Sequence, residues 1–220
     1  MGGPKRPEER QADLPRDVAE ELKATARSGA SARALTLVRR AVQAIEDERL
    51  EEAVKAGEEA KAAAPRAPAA REVLGIALYR LERFRVALRE LQTYRRLSGR
   101  LDQNHLIADC QRALGSPEKA VETARTVLDG RLPEEVRAEA AIVAAAALAD
   151  LERFDEALSL LRRFASSPEV ARPHDLRIWY VLGDVLERAG RRRDAAREFR
   201  KVVRHDSEAF DAVDRLAKLG

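Results

Sequence analysis

The sequence predicts an all-α protein, a solenoid of about five antiparallel helix pairs closed by a C-terminal capping helix. Three observations carry that expectation. The octapeptide LERFRVAL at residues 81–88 returns as LERFDEAL at 151–158. Alanines recur in phase at Ala53, Ala87, Ala120, Ala157 and Ala195, with spacings of 34, 33, 37 and 38 residues. Of the 220 residues, 45% are hydrophobic but only 4% aromatic, so the core must be built largely from Ala, Leu and Val, a mixture suited to close-packed helices.

Taken in order, residues 1–13 are charged and contain Pro and Gly, the composition of a disordered leader. The solenoid is expected over 14–206. Val18 and Leu22 begin a short helix able to cover the first repeat, and the repeat units fall at 31–65, 68–98, 101–130, 133–167 and 174–206. In the two LERF segments, Leu81, Phe84, Leu88 and Leu91 match Leu151, Phe154, Leu158 and Leu161, and steps of three and four place each set on one helical face. Ala87 and Ala157 lie inside that face, where a small side chain lets a neighbouring helix approach. A helix pair repeated at this period has an apolar face that only the next pair can cover. The wider spacings of 37 and 38 point to a lengthened helix after Pro133 and a loop at SSPEVARPHD, residues 166–175. Residues 207–220 read as the cap, with Ser207 as N-cap and Phe210, Val213 and Leu216 as an apolar stripe backed by Asp211, Asp214 and Arg215.

The segment WYVLGDVLERAGRRRDAAREFRKVV, residues 179–203, resembles a tetratricopeptide repeat. Trp179, Leu182 and Gly183 match the first helix of that family's unit, and Gly190, Ala195 and Phe199 match its turn and second helix. The second unit keeps Leu74, Gly75, Ala87 and Leu91, with Arg71 where the family favours Trp and Glu82 where it favours Gly. Gly115 and Ala120 continue the match in the third unit, Phe154 and Ala157 in the fourth, and Pro65 ends the first. The resemblance covers about residues 31–206 and implies a right-handed superhelical solenoid and a scaffold that binds other proteins. The chain is also similar to small repeat proteins of high-GC bacteria.

Several chemistries find no support in the sequence. The only cysteine, Cys110, excludes an intramolecular disulfide and fits a reducing compartment, so a cytoplasmic location is expected. No run reaches the ~18 apolar residues of a membrane span, the first residues lack the apolar stretch of a signal peptide, and Arg6 stands where a myristoylation signal after Gly2 needs Ser or Thr. His105, His174 and His205 are too scattered to share a metal on one helical face. The His-Asp pairs at 174 and 205 fall at helix junctions and read as caps rather than as phosphohydrolase ligands. Neither glycine-rich phosphate motif occurs. Cys110 has core spacing with Ile107 and Leu114, which reads as a buried thiol. No enzyme, cofactor or metal is expected.

Two surfaces remain as binding candidates. The run GRRRDAAREFRKVVRH, 190–205, is basic, but Asp194 and Glu198 interrupt it and no aromatic platform is interleaved, so Arg191 to Arg204 read first as a solvated helix face and second as a nucleic-acid ridge. A net charge of only +3 agrees. The resemblance implies that first helices line a concave side, and their residues outside the core stripe are Glu72, Ile76, Tyr79 and Arg80, then His105, Asp109 and Arg112, then Arg177, Tyr180, Asp184 and Glu187. Aromatic groups mixed with forked charged ones suit recognition of a protein or peptide segment. The expected protein is therefore a scaffold, monomeric or weakly self-associating, with nucleic-acid binding and homo-oligomeric assembly as the rival roles and no membrane partner.

Overall fold

A computed structural model describes residues 13–220, so the leader expected at 1–13 lies outside the described residues apart from Asp13. Among the described residues there are twelve α-helices and no strand. They fall into two compact units divided after Arg100. The first holds α1 (Arg16–Thr25), α2 (Ser31–Glu46), α3 (Leu50–Ala63), α4 (Pro68–Arg80) and α5 (Phe84–Ser98). The second holds α6 (Asn104–Ala113), α7 (Pro117–Leu128), α8 (Glu134–Asp150), α9 (Phe154–Arg162), α10 (Pro173–Arg188), α11 (Arg192–His205) and α12 (Ala212–Leu219).

Within each unit the helices pack chiefly on near neighbours. The first unit pairs α2 with α3 and α4 with α5, and lays α2 beside α4. The second pairs α6 with α7, α8 with α9 and α10 with α11, and lays α6 and α10 against α8. This is the contact pattern of a stacked helix-pair array. Each unit has its own core. Leu22, Leu37, Val38 and Val73 anchor the first, while Leu148, Leu158, Ile178, Trp179 and Phe199 anchor the second.

One turn is repeated five times. Between the two helices of every pair stands a residue in the left-handed region: Glu48, Glu82 and Glu152 at φ 58°, 58° and 59°, and Gly115 and Gly190 at φ 76°. The next residue's N–H reaches back to close the first helix, with Arg49 on Ala44 O at 2.8 Å, Arg83 on Leu78 O at 2.9 Å, Ser116 on Gln111 O at 2.9 Å, Arg153 on Leu148 O at 2.9 Å and Arg191 on Leu186 O at 2.8 Å. This is the Schellman closure, which satisfies carbonyls that a helix end would otherwise leave bare. Five residues after each left-handed residue comes an in-phase alanine, and Ala53, Ala87, Ala120, Ala157 and Ala195 are all completely buried. Glutamate fills a glycine role at three of these turns. A left-handed L-residue costs roughly 1–2 kcal/mol.

The close approach that alanine permits is matched from the first helix. A Cβ on Gly75 would lie 2.7 Å from Leu91 Cγ, and one on Gly183 would lie 2.7 Å from Phe199 Cε1. Arg71, which stands where a Trp would fill space, enters a polar cluster instead: its Nη1 donates to Glu90 Oε2 at 2.7 Å and its Nη2 to Pro65 O at 3.2 Å. Glu90 is 2% exposed, with Lys61 Nζ at 3.4 Å. Burial raises the cost of its charge, but Arg71 and Lys61 overcome that and hold the carboxyl below the usual range.

The 17-residue α8 follows Pro133, and the irregular stretch after α9 is pinned by the start of α10. Asp175 is fully buried. It accepts the Arg172 backbone N–H at 3.0 Å, Arg172 Nε at 2.9 Å and the Ser166 hydroxyl at 2.5 Å. Trp179 Nε1 then donates to Ser166 O at 3.0 Å. Against the burial that would raise it, these donors bring the Asp175 carboxyl down to about 2. The second His-Asp pair also serves a junction, since Asp206 Oδ1 accepts the Glu208 N–H at 2.9 Å.

The expected cap differs in detail. Helix α12 begins at Ala212 rather than after Ser207, because 206–211 is a series of turns ending in Phe210 at φ 58°, a conformation no helix passes through. Nor do Phe210 and Val213 form a buried stripe. They are 51% and 48% exposed, and Ala212 is the residue of this segment that is fully covered.

Three outcomes follow from this packing. Ala87→Leu should destabilise the chain by about 1–3 kcal/mol through overpacking, whereas Glu82→Gly should stabilise it by about 0.5–1 kcal/mol by relieving the left-handed backbone; paired thermal melts check both signs. For Asp175, a folded pKa below the unfolded value near 3.8 means stability present above that pH and lost as pH falls toward 2. The stability gap between parent and Asp175→Asn, measured by urea unfolding, should shrink by about 2 kcal/mol between pH 5 and pH 2.

Candidate functional site

The first helix of each pair presents one face outside the core, and the candidate side chains stand on these faces. In the first unit α4 carries Glu72, Ile76, Tyr79 and Arg80. The Tyr79 ring meets Phe84 edge-on, with centroids 5.9 Å apart. Arg80 is committed to its neighbour, donating through Nη1 to Ile45 O at 2.8 Å and pairing with Glu48. The guanidinium adds a second donor to a helix-end carbonyl that already accepts the Glu48 N–H at 3.2 Å, and its charge suits the helix dipole.

The second unit repeats this device. Arg188 stands two residues before the left-handed Gly190, as Arg80 stands before Glu82, and its Nη2 donates to Ala149 O at 2.7 Å. Ala149 occupies in α8 the place that Ile45 occupies in α2. Arg188 also meets Asp150 at 3.2 Å, and Asp150 meets Arg112 at 3.1 Å, while Arg112 Nε reaches Asp109 at 3.0 Å. A row of alternating charge therefore runs across α6, α8 and α10. Burial opposes the charge on Arg112, but Asp109 and Asp150 outweigh it and raise its pKa.

Toward the other end of the same face, Arg177 pairs with Glu139 at 2.9 Å, and burial holds the Glu139 carboxyl above its ordinary value despite that partner. His105 Nδ1 lies 2.9 Å from Asp102 O, and burial lowers its pKa. The remaining α10 candidates face the 206–219 segment. Tyr180 Oη lies 2.5 Å from Asp211 Oδ1, and the ring stacks on Phe210 at 4.6 Å. Burial and the Asp211 bond push the Tyr180 phenol up to about 12. Arg215 joins Asp184 at 2.9 Å and Glu187 at 2.7 Å, with its guanidinium 5.0 Å from the Phe199 ring centre and 6.0 Å from that of Tyr180.

The structure thus brings Asp109 and Arg112 into one row and Tyr180, Asp184 and Glu187 into another cluster, while Glu72, Tyr79 and Arg80 belong to the first unit. Sequence reasoning missed Asp150, Arg188 and Arg215, which complete these groups. Their signal was positional: Arg80 and Arg188 hold the same register to the turn. On the basic stretch, Asp194 draws Arg191 at 2.8 Å and Arg197, and Arg192 Nη2 donates to Lys218 O at 2.8 Å. Cys110 is buried, and burial pushes its thiol up to about 12, far from a nucleophile's range. Among the described residues no group of three or more His, Cys, Asp or Glu is placed to hold a metal ion, and no helix is long and apolar enough to cross a membrane.

No protein-family model matches the sequence, and no curated protein sequence does. Solved structures do resemble it. A thermophilic TPR protein from Thermus thermophilus superposes with a TM-score of 0.66 at 19% identity, over 84% of this chain and 98% of that one. YrrB, described as a TPR protein with an unusual peptide-binding site, gives 0.58 at 19% identity over 84% and 91%. PilW, a type IV pilus biogenesis factor, gives 0.71 at 18% identity over 84% and 85%. With five left-handed turns, five buried in-phase alanines and these likenesses, the chain has the tetratricopeptide-repeat fold.

Proposed function

We propose that the chain is a non-enzymatic scaffold that takes a peptide or a segment of a partner protein on its first-helix faces. The observation that carries this reading is the row Asp109, Arg112, Asp150 and Arg188, in which four side chains from three helices hold one another in place before any partner arrives. Groups fixed in advance lose little freedom on binding, which favours affinity. Arg and Tyr are the residues that most often supply interface energy, through forked hydrogen bonds and broad rigid contact. Tyr79 and Glu72 with Arg80 in the first unit, and His105, Asp109, Arg112 and Arg177 in the second, make up the accessible set, with Tyr180, Asp184 and Glu187 beneath the 206–219 segment. The peptide-binding site of YrrB supports the same use of the fold. A lone buried thiol supports work in the reducing cytoplasm.

The test separates this face from the basic stretch. A partner captured from the native cell extract and identified by mass spectrometry should bind Tyr79→Ala and Arg112→Ala about 1–3 kcal/mol more weakly by calorimetry, with helicity intact by circular dichroism. Changing Arg191, Arg192 and Arg193 together to Gln should alter only the salt-sensitive association rate. Loss of binding in the triple variant with both face variants unaffected would reject the reading in favour of a basic ridge.

A further inference from the structure

The cluster on α10 has the form of a receptor for one kind of side chain. Asp184 and Glu187 stand one helical turn apart with side chains only 32% and 28% exposed, and a carboxylate oxygen of each points at a single guanidinium. The rings of Phe199 and Tyr180 form its floor, at 5.0 and 6.0 Å from the guanidinium carbon. Two carboxylates above aromatic faces match the planar, forked and weakly hydrated arginine cation better than the compact lysine ammonium. Beside it, Tyr180 offers a hydroxyl and a ring face, used here by Asp211 and Phe210.

The occupant in this chain is held lightly. Helix α12 has eight residues, fewer than the ~12–15 that make a helix marginally stable alone. Of its residues only Ala212 is fully buried; Leu216 and Leu219 are partly buried against the core, and Val213, like Phe210 just before the helix, is about half exposed. Its last-turn carbonyls at Lys218 and Leu219 are held by Arg192 through exposed contacts. A short terminal element with one fully buried residue opens locally at lower cost than the helix pairs it covers. If Arg215 leaves, two half-buried carboxylates lose their cation and must be served by another.

We propose that this surface is an exchangeable arginine-reading site, occupied by residue 215 at rest and by an arginine-bearing amphipathic helix of a partner protein in the complex. The proposal rests on the scaffold reading and specifies its partner: a short helix bearing an arginine, preceded by a turn that holds an aromatic residue five positions ahead of it, the arrangement of Phe210 and Arg215. Lysine in that place serves poorly, because it cannot span both carboxylates in the plane of the rings.

The probe is a fluorescein-labelled peptide of residues 206–220, added to the full chain and followed by anisotropy. It should bind the Arg215→Ala chain about tenfold more tightly than the parent, whose own arginine competes. Adding Asp184→Asn and Glu187→Gln to the receptor should remove that gain, and so should a probe carrying Arg215→Leu. In the parent chain, excess probe should speed hydrogen exchange of residues 212–219 while α11 stays protected. Equal affinity for parent and Arg215→Ala, no measurable binding to Arg215→Ala, or equal binding of the arginine-free probe would overturn the proposal. Concentration-dependent dimerisation of the parent that Arg215→Ala abolishes would overturn it in favour of a second copy of this chain as the occupant. If the exchange fails while Tyr79→Ala and Arg112→Ala still weaken the captured partner, the scaffold reading stands and this inference alone falls.

Discussion

Every helix pair depends on one turn, a left-handed residue followed five positions later by a buried alanine. The turn reverses the chain and completes the hydrogen bonds of the first helix, and the alanine lets the second helix return against the first at the distance the reversal imposes. The two are not independent. A larger side chain at the alanine would push the helices apart and pull on the turn, while a turn without its left-handed residue would misdirect the second helix. Gly75 and Gly183 solve the same distance problem from the opposite helix, against Leu91 and Phe199. Packing, more than propensity, decides which small residue stands where.

Much of this is legible in the chain's residues alone, because alanine spacing near 34 residues is a period and periods survive divergence of everything between them. The glycine rule is a poorer guide. Glu48, Glu82 and Glu152 adopt the glycine conformation, and nothing local in ERFR, ERFD or EDER announces it; the hydrogen bonds on both sides of the residue enforce it. The cap was misplaced for a related reason. Ser207 has the right chemistry for a helix start, but Asp211 is drawn away by the Tyr180 hydroxyl and Phe210 by its ring, so the chain turns through 206–211 before helix becomes possible.

The candidate face was half legible. Helical spacing located Asp109, Arg112, Asp184 and Glu187, since exposed residues obey the same period as buried ones. Their partners lie far off in the chain: Asp150 is 38 residues from both Arg112 and Arg188, and Arg215 lies 28 residues beyond Glu187, distances that spacing within one helix does not reveal. In the basic run, Asp194 pairs with Arg191 and Arg197, Glu198 with Lys201, and Arg192 bonds the carbonyl of Lys218. Arginine is the side chain able to bond a helix-end carbonyl and a carboxylate at once, and Arg80 and Arg188 do so.

Those two arginines also tie neighbouring repeats together. The carbonyls of Ile45 and Ala149 already accept the N–H groups of Glu48 at 3.2 Å and Glu152 at 3.0 Å within their own turns, and the guanidinium of the following repeat adds a second donor to each. Each helix end is therefore closed by its own turn, and the arginine acts as a clasp from one helix pair to the next. Loss of such an arginine would loosen the seam between two helix pairs while leaving the turn inside each pair closed.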